Sequence, residues 1–191
     1  MRRCVYIFIF IFTLLLSSCS NVQLKRQMQD VLGAEINLPH NLEYVCGKDS
    51  ISVDLNELKL IKLIQYYDPK ECALCKATSL NDWLNIQGLT QENIDFGLYI
   101  VFAPSPEQYS EIKRIFRIQE KKYNIYLDKD NLYFEQNKQV LKNRMFHTLL
   151  LDKNNHVVLV GNPLASDAMW SLFKSTLDNM LAHDGVYVPE K

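Results

Sequence analysis

Apolar residues are grouped into short, nearly uninterrupted runs, and several of the stretches between them carry apolar residues at helical spacing. An apolar run of roughly 4–8 residues bounded by turn residues is typical of a buried strand. Three such runs are Leu60–Tyr67, Phe96–Ala103 and Tyr123–Leu127. Helical spacing is found at Leu74, Ala77, Leu80 and Leu84, and again in 106–118 and 166–181. This alternation predicts β-α-β units with parallel strands.

Shorter elements are predicted at both ends of this pattern. Phe146–Asp152 and His156–Gly161 are two β runs separated by a polar turn, which predicts a hairpin. Near the N-terminus, 35–38 and 42–45 predict short edge strands that extend the sheet. A helix is predicted over 21–32, because its apolar residues share one face and a glycine follows it.

The first 18 residues have the pattern of an export signal. Two arginines precede an apolar segment, Val5–Leu16, whose only polar residue is Thr13, and small residues stand directly before Cys19. The Leu-Ser-Ser-Cys sequence resembles the lipobox of bacterial lipoproteins, in which the cysteine is acylated and becomes the mature N-terminus. The apolar segment is shorter than the ~20 residues that span a bilayer. We therefore expect 1–18 to be a signal peptide and 19–34 to be a lipid anchor and tether helix.

That signal also predicts the location of the protein. We expect it in the cell envelope, lipid-anchored to a membrane and facing the periplasm or the cell surface. With 191 residues, of which 48% are apolar and 23% charged, the chain can form one domain of ordinary size. We place this domain at 35–182 and a polar tail at 183–191. The formal net charge of −1 argues against nucleic acid as a partner.

The candidate chemistry lies in a Cys-x-x-Cys pair, Cys72 and Cys75. The pair follows the first core strand and begins the next predicted helix. Unpaired N–H groups at a helix N-terminus favour an anionic sulfur, and such settings lower a cysteine pKa from about 8.5 to roughly 3.5–7.5. Outside the cytoplasm disulfides persist, so a disulfide couple is favoured over half of a zinc site.

Three segments, in their order and spacing, resemble membrane-anchored thioredoxin-like proteins of the TlpA type. They are Gln65–Asp68 before the dithiol, His147–Asp152, and Val157–Pro163. The resemblance covers roughly 35–181 and implies an α/β thioredoxin-like fold, with a mixed central sheet flanked by helices and an N-terminal β extension. It also implies thiol–disulfide exchange, in which Cys72 attacks and Cys75 resolves the mixed disulfide.

The resemblance further implies partners and a substrate groove. The partners would be thiols or disulfides of envelope proteins and a membrane redox partner, with no cofactor and no metal. In this family a cis-proline faces the dithiol, and here Phe146 stands at that position, after Met145. Because a non-proline cis peptide costs about 2.5–4 kcal/mol, we expect a trans bond there. The groove would then be apolar, with Tyr67, Met145 and Phe146 as its residues.

Charged residues flank the dithiol in the sequence. Lys70 and Lys76 should favour a thiolate, whereas Glu71 should oppose it. In the family an acidic residue often follows the second cysteine, but none is present here in 76–79. The remaining cysteine, Cys46, is interpreted as a small buried or edge residue, with a third thiol near the site as the other possibility.

Two alternatives to an oxidoreductase stay open on the sequence alone. One is a lipoprotein that keeps the fold without catalysis and binds a peptide or a partner protein in its groove. The other is a copper-handling protein that uses Cys72, Cys75 and either Met145 or His147, since thiolates and thioethers select Cu(I). His147 is otherwise interpreted as a structural histidine at the start of a core strand.

Overall fold

The computed structural model describes residues 22–46, 49–57, 59–118 and 123–189. The expected signal peptide, Cys19 and the side chain of Cys46 lie outside these described residues. The strands are β1 (Leu42–Cys46), β2 (Asp49–Val53), β3 (Ile61–Tyr67), β4 (Phe96–Phe102), β5 (Ile125–Leu127), β6 (Thr148–Leu151) and β7 (Val157–Val160). The helices are α1 (22–31), α2 (Ala73–Thr78), α3 (Leu84–Glu92), α4 (Pro106–Ile118), α5 (Leu132–Gln136), α6 (Lys138–Leu141) and α7 (Asp167–Ala182).

The strands form one seven-stranded mixed sheet in the order β2-β1-β5-β4-β3-β6-β7. Strand β4 pairs in parallel with both β3 and β5, as the alternation of strands and helices predicted. Strand β6 runs antiparallel to β3 and to β7. The fold class predicted from the sequence, a mixed α/β sheet flanked by helices, is confirmed.

Strand β3 is buried on both faces, which explains its nearly continuous apolar sequence. Successive residues point to opposite faces of a sheet. Accordingly, Leu63 belongs to the apolar core on one face, with α2 and α7, while Ile64 belongs to the core on the other face, with α1 and α6. The dithiol turn directly follows the C-terminal end of this buried central strand.

The helix after the dithiol is interrupted, which its apolar spacing did not predict. Helix α2 ends at Thr78, and a 3-10 turn over Leu80–Trp83 precedes α3. The hydroxyl of Thr78 donates to the carbonyl oxygen of Cys75, and that of Ser79 to the carbonyl oxygen of Lys76. Such side-chain bonds to the preceding turn bend or end helices.

The strand expected to begin at Phe146 begins two residues later, at Thr148. Residues Arg144–Phe146 form a 3-10 turn instead. The side chain of Asn143 caps that turn, since its oxygen accepts the N–H of Met145 at 3.1 Å. This correction matters for the site, because the turn lies beside the dithiol loop.

The N-terminal segment is built into the domain. The hairpin of β1 and β2 forms the predicted β extension, although β1 lies inside the sheet, between β2 and β5, and is not an edge strand. The segment 35–38 joins the sheet only by an isolated bridge between Glu35 and His156. Helix α1 packs against the core, and Gly33 follows it with φ +78°, a conformation that favours glycine. Among the described residues no helix is both long enough and apolar enough to cross a membrane.

Candidate functional site

The dithiol lies where β3 ends and α2 begins. Cys72 and Cys75 form a disulfide, with their Cα atoms 5.2 Å apart. Cys72 is the N-cap residue of α2, and its sulfur accepts the backbone N–H of Cys75 at 3.2 Å. Ala73 and Ala77 face the core, so both cysteine side chains are left exposed to solvent. The disulfide therefore lies at the surface of the protein.

Asp68 shapes the turn that carries the dithiol. Its Oδ1 accepts the N–H of Lys70 at 2.6 Å and that of Glu71 at 3.1 Å. Its Oδ2 lies 3.3 Å from Nε of Arg144, in the 3-10 turn before β6. One carboxylate thus holds the dithiol turn in shape and ties it to the opposite loop.

A second link between these loops joins Glu71 and His147. The Nε2 of His147 donates to the carbonyl oxygen of Leu141 at 2.9 Å, and its Nδ1 lies 3.4 Å from Oε1 of Glu71. His147 is 4% exposed. Burial by itself would raise the pKa of the Glu71 carboxyl group. Hydrogen bonds from His147 and from the N–H of Asp68, together with the charge of Lys76, outweigh burial, and the pKa is lowered.

The charges beside the cysteines largely offset one another. The ammonium group of Lys76 lies 3.8 Å from Oε2 of Glu71 and 5.6 Å from the centre of the Tyr67 ring. Lys70 is exposed. Lys76 favours a thiolate and Glu71 opposes one, so the two effects partly cancel. The hydrogen bond from the Cys75 N–H is made to the sulfur of Cys72 and so distinguishes it from that of Cys75.

Asp68, Glu71 and His147 are also arranged in a way that could hold a cation, since one ligand atom of each lies within 4.8 Å of the other two. Each carboxylate already has a cationic partner, because Arg144 contacts Asp68 and Lys76 contacts Glu71. We therefore interpret this cluster as an ion-pair network that fixes the two loops.

A groove of about 800 Å³ runs beside the dithiol turn. Tyr67, Met145 and Phe146 all line it, together with Glu71 and Lys76, while the two sulfurs lie outside the lining. Met145 is 58% exposed, whereas Phe146 is 3% exposed and packs into the core. All peptide bonds among the described residues are trans, including the one before Phe146. Burial raises the pKa of Tyr67 to about 12, so its hydroxyl stays protonated at neutral pH.

Other residues of the groove were not identified from the sequence. They come from α1, from the 3-10 turn after the dithiol helix, from the turn after β7 and from α7, and include Met28, Trp83, Asn162 and Met169. Only Asn162, directly before Pro163, carries a local signal, because asparagine before proline initiates turns. The others come together through the tertiary structure alone.

No protein-family model matches this chain, and no curated protein sequence matches it. Solved structures do resemble it. The thioredoxin domain of a thiol-disulfide oxidoreductase from Bacteroides vulgatus superposes with a TM-score of 0.52 at 17% identity, covering 75% of this chain and 96% of that one. A thiol:disulfide interchange protein, DsbE, from Chlorobium tepidum gives 0.53 at 12% identity, with the same two coverages of 75% and 96%.

A third similar structure is the reduced 2-Cys peroxiredoxin of Plasmodium vivax, with a TM-score of 0.55 at 14% identity, covering 82% of this chain and 99% of that one. At such identities the likeness establishes the fold. This chain therefore has a thioredoxin-like fold, with the Cys72–Cys75 disulfide at the junction of β3 and α2.

Proposed function

We propose that this protein is a membrane-anchored thioredoxin-fold protein that exchanges thiols and disulfides with proteins of the cell envelope. The observation that carries the proposal is the solvent-exposed Cys72–Cys75 disulfide, in which the sulfur of Cys72 accepts the N–H of Cys75. A hydrogen bond to sulfur stabilises the thiolate more than the thiol, and the thiolate is the nucleophile.

The exchange is balanced by two electrons. In the reduced protein the Cys72 thiolate attacks one sulfur of a partner disulfide, and the other partner sulfur leaves as a thiolate. The Cys75 thiolate then attacks Cys72 in the mixed disulfide, which releases the second partner thiolate and forms the Cys72–Cys75 disulfide. The partner gains two electrons, and a membrane dithiol protein returns two to the domain for the next cycle. The reverse sequence oxidises a partner dithiol.

Reduction of insulin disulfides by the reduced, lipidated protein tests the proposal. Cys72→Ser should abolish turnover, and Cys75→Ser should accumulate a mixed disulfide because nothing resolves it. Asn85→Ala, an exposed change on α3 outside the groove, is the matched control and should keep full activity. If the folded protein reduces neither insulin nor a small aromatic disulfide, a binding lipoprotein without catalysis is the better description.

Copper handling is tested on the same preparation. Both ring nitrogens of His147 already face an oxygen, the carbonyl of Leu141 or the carboxylate of Glu71, which leaves Met145 as the freer of the two donors named for copper. Titration of the reduced protein with Cu(I) against a competing chelator should give the same affinity for Met145→Leu as for the unchanged protein, because an exposed dithiol binds Cu(I) by itself. A dithiol-dependent site that Met145→Leu weakens would favour the copper alternative.

A further inference from the structure

The groove is bounded by two turns of the same kind. Arg144–Phe146 and Pro163–Ala165 are both 3-10 turns, and each is preceded by an asparagine. The side-chain oxygen of Asn143 accepts the N–H of Met145 at 3.1 Å, and that of Asn162 accepts the N–H of Leu164 at 2.8 Å. Residues of both turns line the groove.

These turns use their own backbone donors. Besides the two capped N–H groups, those of Phe146 and His147 donate to the carbonyl oxygens of Asn143 and Arg144. On the other side of the groove the same holds for the N–H groups of Gly161 and Ala165, which donate to Thr148 and Asn162. Six N–H groups of groove residues are therefore already bonded within the protein.

An extended peptide that pairs with a protein edge needs free N–H and C=O groups on that edge. At Met145, Phe146 and His147, three consecutive donors are occupied. Opening the turn to release them would break these bonds and expose the buried Phe146 ring. The groove is thus poorly suited to recognition by β pairing.

Side chains are what the groove offers instead. Met28 from α1, Met145 from the first turn and Met169 from α7 line it, beside the aromatic rings of Tyr67 and Trp83. The chain has five methionines, so most of those outside the signal are gathered here. Methionine is flexible and polarisable, and surfaces rich in it adapt to varied apolar side chains.

Charges along the groove are mostly compensated. Glu71 pairs with Lys76, and Arg144 pairs with Asp68, whereas the exposed Asp82 also lines the groove and has no ion pair among the described residues. A strongly charged ligand would have to separate these pairs, whereas an uncharged apolar one would not. The ion pairs are therefore compatible with an uncharged ligand that contacts the methionine and aromatic side chains.

We propose that the groove selects cysteine-bearing polypeptide segments by the apolar side chains that flank the cysteine, and that it does so without β pairing to the peptide backbone. This inference rests on the proposed exchange function and specifies its substrate class. Apolar side chains next to the reacting cysteine enter the methionine-lined groove, which holds the partner sulfur beside the exposed dithiol.

Short disulfide-linked peptides test this proposal with the reduced, full-length protein. One disulfide-linked peptide carries leucine on each side of the cysteine, and another carries glutamine at the same positions. Each rate of reduction by the protein is divided by the rate of reduction of the same peptide by dithiothreitol, which corrects for differences in reactivity between the two disulfides. Burial of two apolar side chains should favour the leucine peptide by about tenfold or more. N-methylation of the flanking amides should change the normalised rate by less than about twofold, whereas each lost pairing bond would cost about fivefold.

Protein variants test the lining itself. Met28→Gln and Met169→Gln keep the length of the side chain but make it polar, and each should reduce the leucine-to-glutamine preference about threefold or more. Leu172→Gln, an exposed change on α7 outside the groove, is the matched control and should leave the preference unchanged. The Leu172→Gln protein should also reduce a small aromatic disulfide at the rate of the unchanged protein.

The outcomes separate this inference from the function on which it rests. Loss of rate on N-methylation, or equal rates for the leucine and glutamine peptides while the small disulfide is reduced normally, would overturn the inference alone. Failure to react with any disulfide would overturn the exchange function itself.

Discussion

The imidazole Nδ1 of His147 lies 3.4 Å from the carboxylate Oε1 of Glu71, across 76 positions of sequence. The other ring nitrogen, Nε2, donates to the carbonyl oxygen of Leu141, so both ring nitrogens have an oxygen partner. The contact with Glu71 joins the dithiol turn to the loop before β6. It is one of two such links, the other being the contact of Asp68 with Arg144.

The first prediction follows from Glu71. Its pKa is lowered below the ordinary 4.5 in the folded protein, so its contacts stabilise the fold fully above pH 4.5 and are lost as the pH falls through the folded pKa. Glu71→Gln should reduce the free energy of unfolding by about 1–3 kcal/mol at neutral pH and by less in acid. Urea unfolding from pH 3 to pH 7 measures this difference.

An exposed carboxylate is the control for that measurement. Glu135 pairs with Lys138 on the surface, with half of its side chain accessible, and Glu135→Gln should change stability by about 0–1 kcal/mol. A pH-independent effect of Glu71→Gln would show that ionisation of Glu71 does not stabilise the fold.

A second prediction concerns the two thiols. In the disulfide the sulfur of Cys72 accepts the N–H of Cys75, and the same bond in the reduced protein would stabilise the thiolate of Cys72. Alkylation of the reduced protein at mildly acidic pH should modify Cys72 first, by about tenfold if the two pKa values differ by one unit. Peptide mapping by mass spectrometry identifies the product. Equal or reversed labelling would remove the nucleophile role from Cys72.

A third prediction separates two neighbouring residues of the groove. Phe146 is buried, so Phe146→Ala should cost about 3–5 kcal/mol of stability, and Phe146→Leu less than about 1.5 kcal/mol. Phe146→Pro would also lose the bond from the Phe146 N–H to Asn143. Met145→Ala is the control and should change stability by less than about 0.5 kcal/mol. Equal losses of stability for Met145→Ala and Phe146→Ala in urea unfolding would contradict the burial of Phe146 and the exposure of Met145.

The fourth prediction concerns Cys19. If the lipobox is used, Cys19→Ala should leave the precursor uncleaved and without lipid, because the modified cysteine is the cleavage site. Gel mobility and labelling with a radioactive fatty acid measure both properties. Ser20→Ala, the neighbouring change, should be processed normally. Normal cleavage and labelling of Cys19→Ala would refute the assignment.

The elements that the sequence predicted well are those whose signal is local. Continuous apolar runs identified β3 and β4, because a parallel strand in mid-sheet is buried on both faces. The dithiol could be placed at the start of a helix, because the order of strand, turn and cysteines is contained in a short segment. These local patterns were enough to predict the fold class.

The groove could not be predicted in the same way. Gln27 on α1 bonds to Asn143 across 116 positions, and no periodicity links such residues. The short helices α5 and α6 were also missed, since too few turns are present for a helical pattern to show. Helix α5 depends on Asp128, whose buried carboxylate accepts the N–H groups of Leu132 and Tyr133.

The packing of α1 has a consequence for how this protein would meet its partners. Met28 borders the groove and lies six residues into α1, which begins three residues after Cys19, the proposed site of lipid attachment. The distance from Cys19 to Met28 is therefore about 20 Å at most. With acyl chains on Cys19, this short connection would keep the groove close to the surface of the bilayer. Encounters would then be a two-dimensional search, in which cysteines close to the membrane are met often and those far out in the aqueous space are not.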